Sequence, residues 1–265
     1  MQLSTIESSV FDHCIEVEAL LGKEEAPLFC RYFDISPEGN FEHGKSILNV
    51  PADLEGLAGF LKVDESRLAD VVARGRKTLF EAREARVKPG RDEKVQVNWN
   101  GLMISAFALA YQVLGKPAYL EAAERAARFI LERMRTDEGG LLHVYKDGRA
   151  RIDGYQDDYA FLINALIDLY QATFEVTWLK TARELTETMI DRFWDEVEGG
   201  FFFVGKDHEA LIVRSKNPYD NAIPSGNSVG TIALLRLGAL LGREDFREKA
   251  ERTLKLFQPF ILVDP

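Results

Sequence analysis

Two Gly-Gly pairs, Gly139-Gly140 and Gly199-Gly200, stand 60 residues apart, and each opens the same succession of signals. Behind each lies a short apolar run, Leu141 to Tyr145 or Phe201 to Val204. A Lys-Asp turn follows, then a second short run, Arg149 to Ile152 or Leu211 to Arg214. Apolar runs joined by such turns predict a β-hairpin in each copy. In front of each Gly-Gly pair stand two helical segments. The first pair is Gly101 to Leu114 and Ala118 to Arg135, turned by Gly115-Lys116-Pro117; the second is Tyr159 to Thr173 and Glu175 to Trp194. A third copy opens at Ser225, with helices Val229 to Leu241 and Asp245 to Phe260. A fixed period of this length is the mark of a repeat architecture.

Within each copy the first helix is apolar on most faces and the second is striped. A helix apolar all round must be buried, whereas a striped one lies outside. Alternating the two gives an inner layer wrapped by an outer one. The expected fold is therefore all-α, an α/α toroid with short β-hairpins between helix pairs. A straight solenoid of helix pairs is the alternative, but its repeats rarely carry a hairpin in each copy. We expect one partial toroid domain over 1–265, with an irregular part at 1–98 and three helix-pair repeats at 99–265.

In the first part, Ile6, Val10, Cys14, Val17, Leu20 and Leu21 follow helical spacing up to Gly22. Phe29 to Ile35 is short and aromatic and reads as a strand, with Phe41 to Leu48 as its return. Asp53 to Leu61 and Asp64 to Arg86 read as helices, each opened by an Asp N-cap, and Val87 to Val97 reads as a loop.

The chain has 265 residues and a net charge of −10, a balance that argues against nucleic acid and anionic membranes as partners. No apolar run reaches the roughly 18 residues of a membrane span, and Met1 to Val10 lacks the features of a signal peptide, so a cytoplasmic location is expected. Cys14 and Cys30 form no Cys-x-x-Cys pair; neither a disulfide, a metal site nor a cofactor is expected.

In a toroid the inner helices start at one end, so whatever precedes each of them gathers at a single mouth. Those stretches are Asn98-Trp99-Asn100, Asp153 to Tyr159, and Asp220 to Asn227. Asn100, Asp157 or Asp158, and Ser225 are good N-caps, worth about 1 kcal/mol each, and that alone explains any one of them. A cap needs one polar residue, however, and each start carries an excess. Adjacent Asp157 and Asp158 cannot both cap well, and paired carboxylates drive their pKa values apart as acid and base roles require. They are the catalytic candidates, with Asp153 and Asp220 in support. Trp99, Tyr155 and Tyr159 offer flat faces for sugar rings, and Asn100, Ser225 and Asn227 offer hydrogen bonds to hydroxyls. His143 and His208 lie in the hairpins and read as exposed, and His43 has no evident role. Arg214 and Lys216 could hold an acidic substrate group or pair with the carboxylates.

The motifs Trp99 to Ile104, Asp153 to Phe161 and Pro224 to Ser228, with Glu38 to Glu42 and Arg91 to Lys94, resemble the spermatogenesis-associated protein 20 type of thioredoxin-domain-containing proteins. The resemblance spans nearly the whole chain. It implies a six-hairpin, glycosidase-like α/α toroid, related to N-acylglucosamine 2-epimerases, preceded in the family by a thioredoxin-like domain of which this sequence carries no motif. A six-hairpin ring needs twelve helices, and about nine are read here, so the toroid is expected to be incomplete and to self-associate through its open edge. By this kinship the ligand is sugar-like and any activity glycosidase- or epimerase-like. A non-catalytic binding or scaffold domain is the alternative.

Overall fold

A computed structural model describes residues 13–88, 90–209 and 212–263; Ile6, Val10 and Leu211 lie outside them. The chain divides into two compact units, 1–92 and 93–265.

The first unit holds α1 (His13–Tyr32), α2 (Leu54–Leu61) and α3 (Glu65–Glu84). Gly22 does not end α1 but kinks it, at φ 78° and ψ 168°. The expected strand at Phe29 to Ile35 is instead the last turn of that helix and the residues leaving it. Ala26, Phe29 and Cys30 recur at helical spacing and are buried with Val17, Val71 and Leu79, so packing against α3 overrides the β propensity of the aromatic run. The expected return strand is also missing, and a 3₁₀ turn covers Glu42–Gly44. There the Asn40 side chain accepts from Ile47 N (2.7 Å) and donates to the carbonyls of Ile47 (3.0 Å) and Asp34 (3.2 Å), serving groups that a ladder would otherwise pair. Both Asp caps form: Asp53 accepts from Gly56 N at 2.7 Å and Asp64 from Arg67 N at 3.2 Å.

The second unit contains three helical hairpins. Their inner helices are α4 (Val97–Leu114), α6 (Gln156–Thr173) and α8 (Gly226–Leu241); their outer helices are α5 (Pro117–Arg133), α7 (Val176–Phe193) and α9 (Glu244–Val263). Helix α6 packs between α4 and α8, and each outer helix packs on its own inner partner. One continuous core runs through all three hairpins, from Val97 and Ile104 through Phe161, Leu162 and Leu166 to Leu234 and Phe246. Gly101 is what lets α4 meet α6 so closely. A Cβ there would lie 2.8 Å from the Phe161 carbonyl carbon and 2.9 Å from Leu162 N, backbone that cannot step aside. A polar lattice also joins the inner helices. Arg236 on α8 donates to Asn164 (2.6 Å), Asp168 (2.6 Å) and Gln171 (2.8 Å) on α6, and Asn164 reaches Ser105 on α4 at 3.4 Å.

The first hairpin forms as expected. Strands β1 (Val95–Gln96), β2 (Leu142–Lys146) and β3 (Arg149–Asp153) make one antiparallel sheet in that order. Asp147 and Gly148 both take positive φ (53° and 77°), the backbone of a tight two-residue hairpin turn. Because β1 pairs with β2, the compact unit begins at Glu93 rather than at residue 99. The second expected hairpin does not form. Phe201 makes one isolated bridge to Trp194, and Phe203 N donates to Ser215 O at 2.8 Å, but no strand develops among the described residues. Nothing there corresponds to β1, and Lys206-Asp207-His208 lacks the positive-φ pair.

Candidate functional site

The starts of α4, α6 and α8 converge, and side chains stitch them together. Helix α4 begins at Val97, earlier than the sequence suggested, so Asn100 is not a cap but a first-turn residue whose amide donates to Gln96 O at 2.8 Å. Asp158, the third residue of α6, is completely buried. Its carboxylate accepts from Asn98 N on α4 at 3.0 Å, from Tyr155 N at 2.8 Å, and from His143 Nδ1 at 2.9 Å. Two backbone amides and an imidazole fully satisfy it, so Asp158 has no open face for a ligand and is corrected from catalytic candidate to positioning residue. Gln156, two residues earlier, donates to Gly226 O on α8 at 2.8 Å. Gly226 is closely approached by both side chains, since a Cβ there would overlap Asp157 Oδ1 and Gln156 Oε1.

Asp157 is the other member of the pair and accepts no hydrogen bond among the described residues. It is half-buried beside Gly226. Burial, reinforced by the negative charge of Asp158 and opposed by His143, pushes its carboxyl up to about 6. Adjacent carboxylates thus sit in different surroundings: Asp158 is held in a hydrogen-bond cage, whereas Asp157 is half-buried with its carboxyl pushed up.

His143 was not a leading candidate from sequence, where it reads as an exposed hairpin residue. It sits on β2 with its side chain only 15% exposed. The bond to Asp158 raises its pKa and fixes Nδ1 as the donor, while Nε2 lies 3.3 Å from Gln96 Nε2. In the neutral ring, Nε2 accepts from that amide. Opposite His143 in the β2–β3 register stands Ile152, at φ 66°, where the ladder is interrupted.

The aromatic wall is mostly closed. Tyr155 stacks on Phe203 (5.0 Å, 7°) and on His208 (5.6 Å, 28°), with the His143 ring edge-on at 5.2 Å. Tyr159 is fully buried, and its hydroxyl accepts from Leu141 N at 2.8 Å. It is core, not ligand-binding, because it fastens the Gly139-Gly140 turn to α6. Asn227 performs the same task one repeat on: its amide accepts from Phe201 N at 2.8 Å and donates to Phe201 O at 2.9 Å. Buried and fully used, Asn227 is likewise corrected to a structural clamp. Ser225 is the N-cap of α8, buried, with its hydroxyl donating to Asn217 O at 2.7 Å, and Asp220 accepts from Ser225 N at 2.7 Å. Trp99, by contrast, is 58% exposed at the start of α4, and Asp153 is exposed at the end of β3.

Arg214 and Lys216, the cations ahead of Asp220, are spent internally. Arg214 donates to Val204 O at 2.6 Å and lies over Phe202, and Lys216 pairs with Asp195 at 2.7 Å and Glu198 at 3.1 Å. His208 donates through Nε2 to Asp153 O at 3.2 Å, and its buried Nδ1, which has no hydrogen-bond partner, lies 3.9 Å from Asp207 Oδ1. Among the described residues no cluster of His, Cys, Asp and Glu has a metal-binding arrangement, and no helix is long and apolar enough to cross a membrane.

No family model matches the chain. It is 34% identical over 231 residues to spermatogenesis-associated protein 20 of Homo sapiens, covering 83% of this chain and 29% of that protein. The Rattus norvegicus protein of that name is 32% identical over 252 residues, covering 87% and 32%. The chain thus spans about a third of the length of these curated relatives. Among solved structures, a sugar epimerase from a ruminal bacterium aligns with a TM-score of 0.53 at 17% identity, covering 92% of this chain and 70% of that one. Cellobiose 2-epimerase from Spirochaeta thermophila aligns with a TM-score of 0.53 at 20% identity, covering 64% and 45%. Such low identities speak for the fold alone. The chain is a homologue of part of spermatogenesis-associated protein 20, and its fold is that of the α/α-toroid epimerases and glycosidases.

Proposed function

We propose that this domain binds a sugar-like small molecule at the mouth formed by the starts of α4, α6 and α8, with Asp157 as its proton-exchanging group. His143, held by Asp158, is the second acid–base group, and Trp99 is the open stacking face. The observation that carries this reading is the division of labour at Asp157-Asp158, in which structure consumes only one carboxylate. With its carboxyl titrating near 6, Asp157 can in its acid form donate a proton to a leaving oxygen, and in its carboxylate form take one from a carbon acid, the work of glycosidases and sugar epimerases respectively. Incubating the protein with mono- and disaccharides in heavy water, and following hydrolysis, epimer formation and deuterium uptake, tests the chemistry. We expect turnover of at least one sugar and a loss of about 10²-fold or more in Asp157→Asn. A panel with neither turnover nor binding would remove the proposal.

A second reading, a non-catalytic binding domain that self-associates, is favoured by the third repeat. Ile232 and Leu235 on α8 and Leu254 and Ile261 on α9 are exposed beside an apolar cleft of about 230 Å³. A solution mass measurement decides it: a monomer at high micromolar concentration speaks against it.

A further inference from the structure

Gln156, the first residue of α6, carries a buried amide that the sugar reading does not use; its side chain lies where α6 meets α8 and is only 1% exposed. Its Nε2 donates to Gly226 O at 2.8 Å, and a Cβ on Gly230 would lie 3.2 Å from the same nitrogen. That bond fixes which way the amide points. Turning it over would set Oε1 against the Gly226 carbonyl, acceptor to acceptor. Oε1 is thereby left beside Asp157. Gln156 Oε1 and Asp157 Oδ1 each lie 2.0 Å from the point where a Gly226 Cβ would stand, so they are at most twice that distance, 4.0 Å, apart. Among the described residues neither oxygen accepts a hydrogen bond. The charged groups acting on Asp157 are Asp158 from its own helix and His143 from β2, while α8 meets it with the backbone of Gly226. Two bare acceptors at this spacing repel each other, and one proton between them turns the repulsion into a bond. An ionised carboxylate only accepts, but a protonated one gains an O–H donor.

We infer that Gln156 is the positioning residue for the Asp157 proton: its Oε1 accepts the hydrogen bond of the Asp157 acid and faces the carboxylate bare when the proton leaves. In the acid form a chain then runs from Asp157 O–H to Gln156 Oε1, and from Gln156 Nε2–H to Gly226 O, with each bond polarising the next. A hydrogen bond made only by the neutral carboxyl favours that form. It acts in the same direction as burial and the Asp158 charge, which already hold the carboxyl up. The chain also ties the proton to the α6–α8 junction, since the amide that receives it is anchored on α8. The inference concerns where Asp157 keeps its proton and involves no ligand, so it stands or falls separately from the sugar reading.

The test is a carbon-13 NMR titration of side-chain carboxyl and amide carbons in the full chain, from about pH 4 to about pH 8. In the parent protein the Gln156 Cδ signal should move with the same midpoint as Asp157 Cγ. Gln156→Met keeps the bulk and removes the acceptor, so the Asp157 midpoint should fall by about one pH unit. Ser225→Ala loosens the start of α8 but leaves both oxygens in place, and it should not move that midpoint. A Gln156 signal that stays flat through the Asp157 transition would overturn the inference, and that observation needs no variant to fold. An Asp157 midpoint unmoved in Gln156→Met would also overturn it. Equal falls in Gln156→Met and Ser225→Ala would do the same, by tracing the effect to general loosening of the junction.

Discussion

The segments after Gly139-Gly140 and after Gly199-Gly200 read alike in sequence, yet one becomes a sheet and the other does not. The first has a ready partner, β1, and an Asp-Gly turn whose two positive φ values suit a tight hairpin. The second has neither, and side chains hold it instead: Asn227 on Phe201, Arg214 on Val204, Lys216 on Asp195. A two-stranded ribbon without a third strand or a packed face is marginal in water. Equivalent apolar runs therefore diverge according to what lies beside them. Each segment nonetheless delivers a residue to the same ring, His143 from the first and Phe203 from the second, both against Tyr155.

The contrast can be broken most severely at its side-chain clamp. Asn227→Ala removes both bonds to Phe201 and leaves a buried N–H and C=O without partners, so we expect a loss of about 3 kcal/mol in denaturant unfolding. An effect below about 1 kcal/mol would show that the second segment is held by other means.

The glycines sharpen the contrast. Gly200 has φ 74° and a Cβ there would lie 2.9 Å from Leu256 Cδ2, so Gly200→Ala should cost about 2 kcal/mol. At Gly140 φ is ordinary and a Cβ would meet only the end of Arg192, so Gly140→Ala should cost under about 1 kcal/mol. Equal losses at these matching positions would contradict the different backbones of the two turns.

Tyr159→Phe removes a single bond, to Leu141 N, and we expect a loss of about 1–2 kcal/mol. The sheet partner β1 should keep the first hairpin in place, so amide exchange in β2 should change little. Rapid exchange throughout β2 would mean that the hydroxyl, rather than the sheet, holds the hairpin.

The smallest expected effect lies between the two segments, at Asp157. Its folded carboxyl titrates near 6 against an ordinary 3.8, so the fold binds that proton more tightly than the unfolded chain does. Stability from this group is therefore greatest at low pH and falls as pH rises from about 3.8 to about 6. Asp157→Asn should stabilise the protein by about 1 kcal/mol at pH 7, after allowance for solvent screening, with the gain vanishing below pH 4. A gain independent of pH would contradict the cause assigned to the shift. His143 acts in the same sense: its folded pKa is raised, and its contribution is lost as pH climbs past that value.

The helix pairs, the inner–outer alternation and the convergence of three helix starts were legible because periodicity and repeats report burial directly. Asp147-Gly148 was equally legible, since few dipeptides suit that turn. Phe29 to Ile35 misled because an aromatic run satisfies strand propensity, and only its packing on α3 decides for helix. Tyr159 and Asn227 were rightly placed at helix starts but assigned the wrong task. Nothing local shows that a phenol or an amide will be claimed by a backbone group 18 or 26 residues upstream. His143 was hidden for the same reason, since its worth depends on Asp158 reaching it across a turn.

The Arg236 lattice has a bearing on how the molecule comes apart. In a linear array of repeats, stability is the sum of what each unit holds by itself and what each junction adds. One guanidinium spans the junction between α6 and α8 by three bonds, so much of that junction's polar strength is concentrated in a single side chain. Opening of the α8–α9 pair is thereby tied to the middle of the array and cannot proceed as quiet fraying from one end. Cutting the tie with Arg236→Met would uncouple the last hairpin, turning one cooperative transition into two.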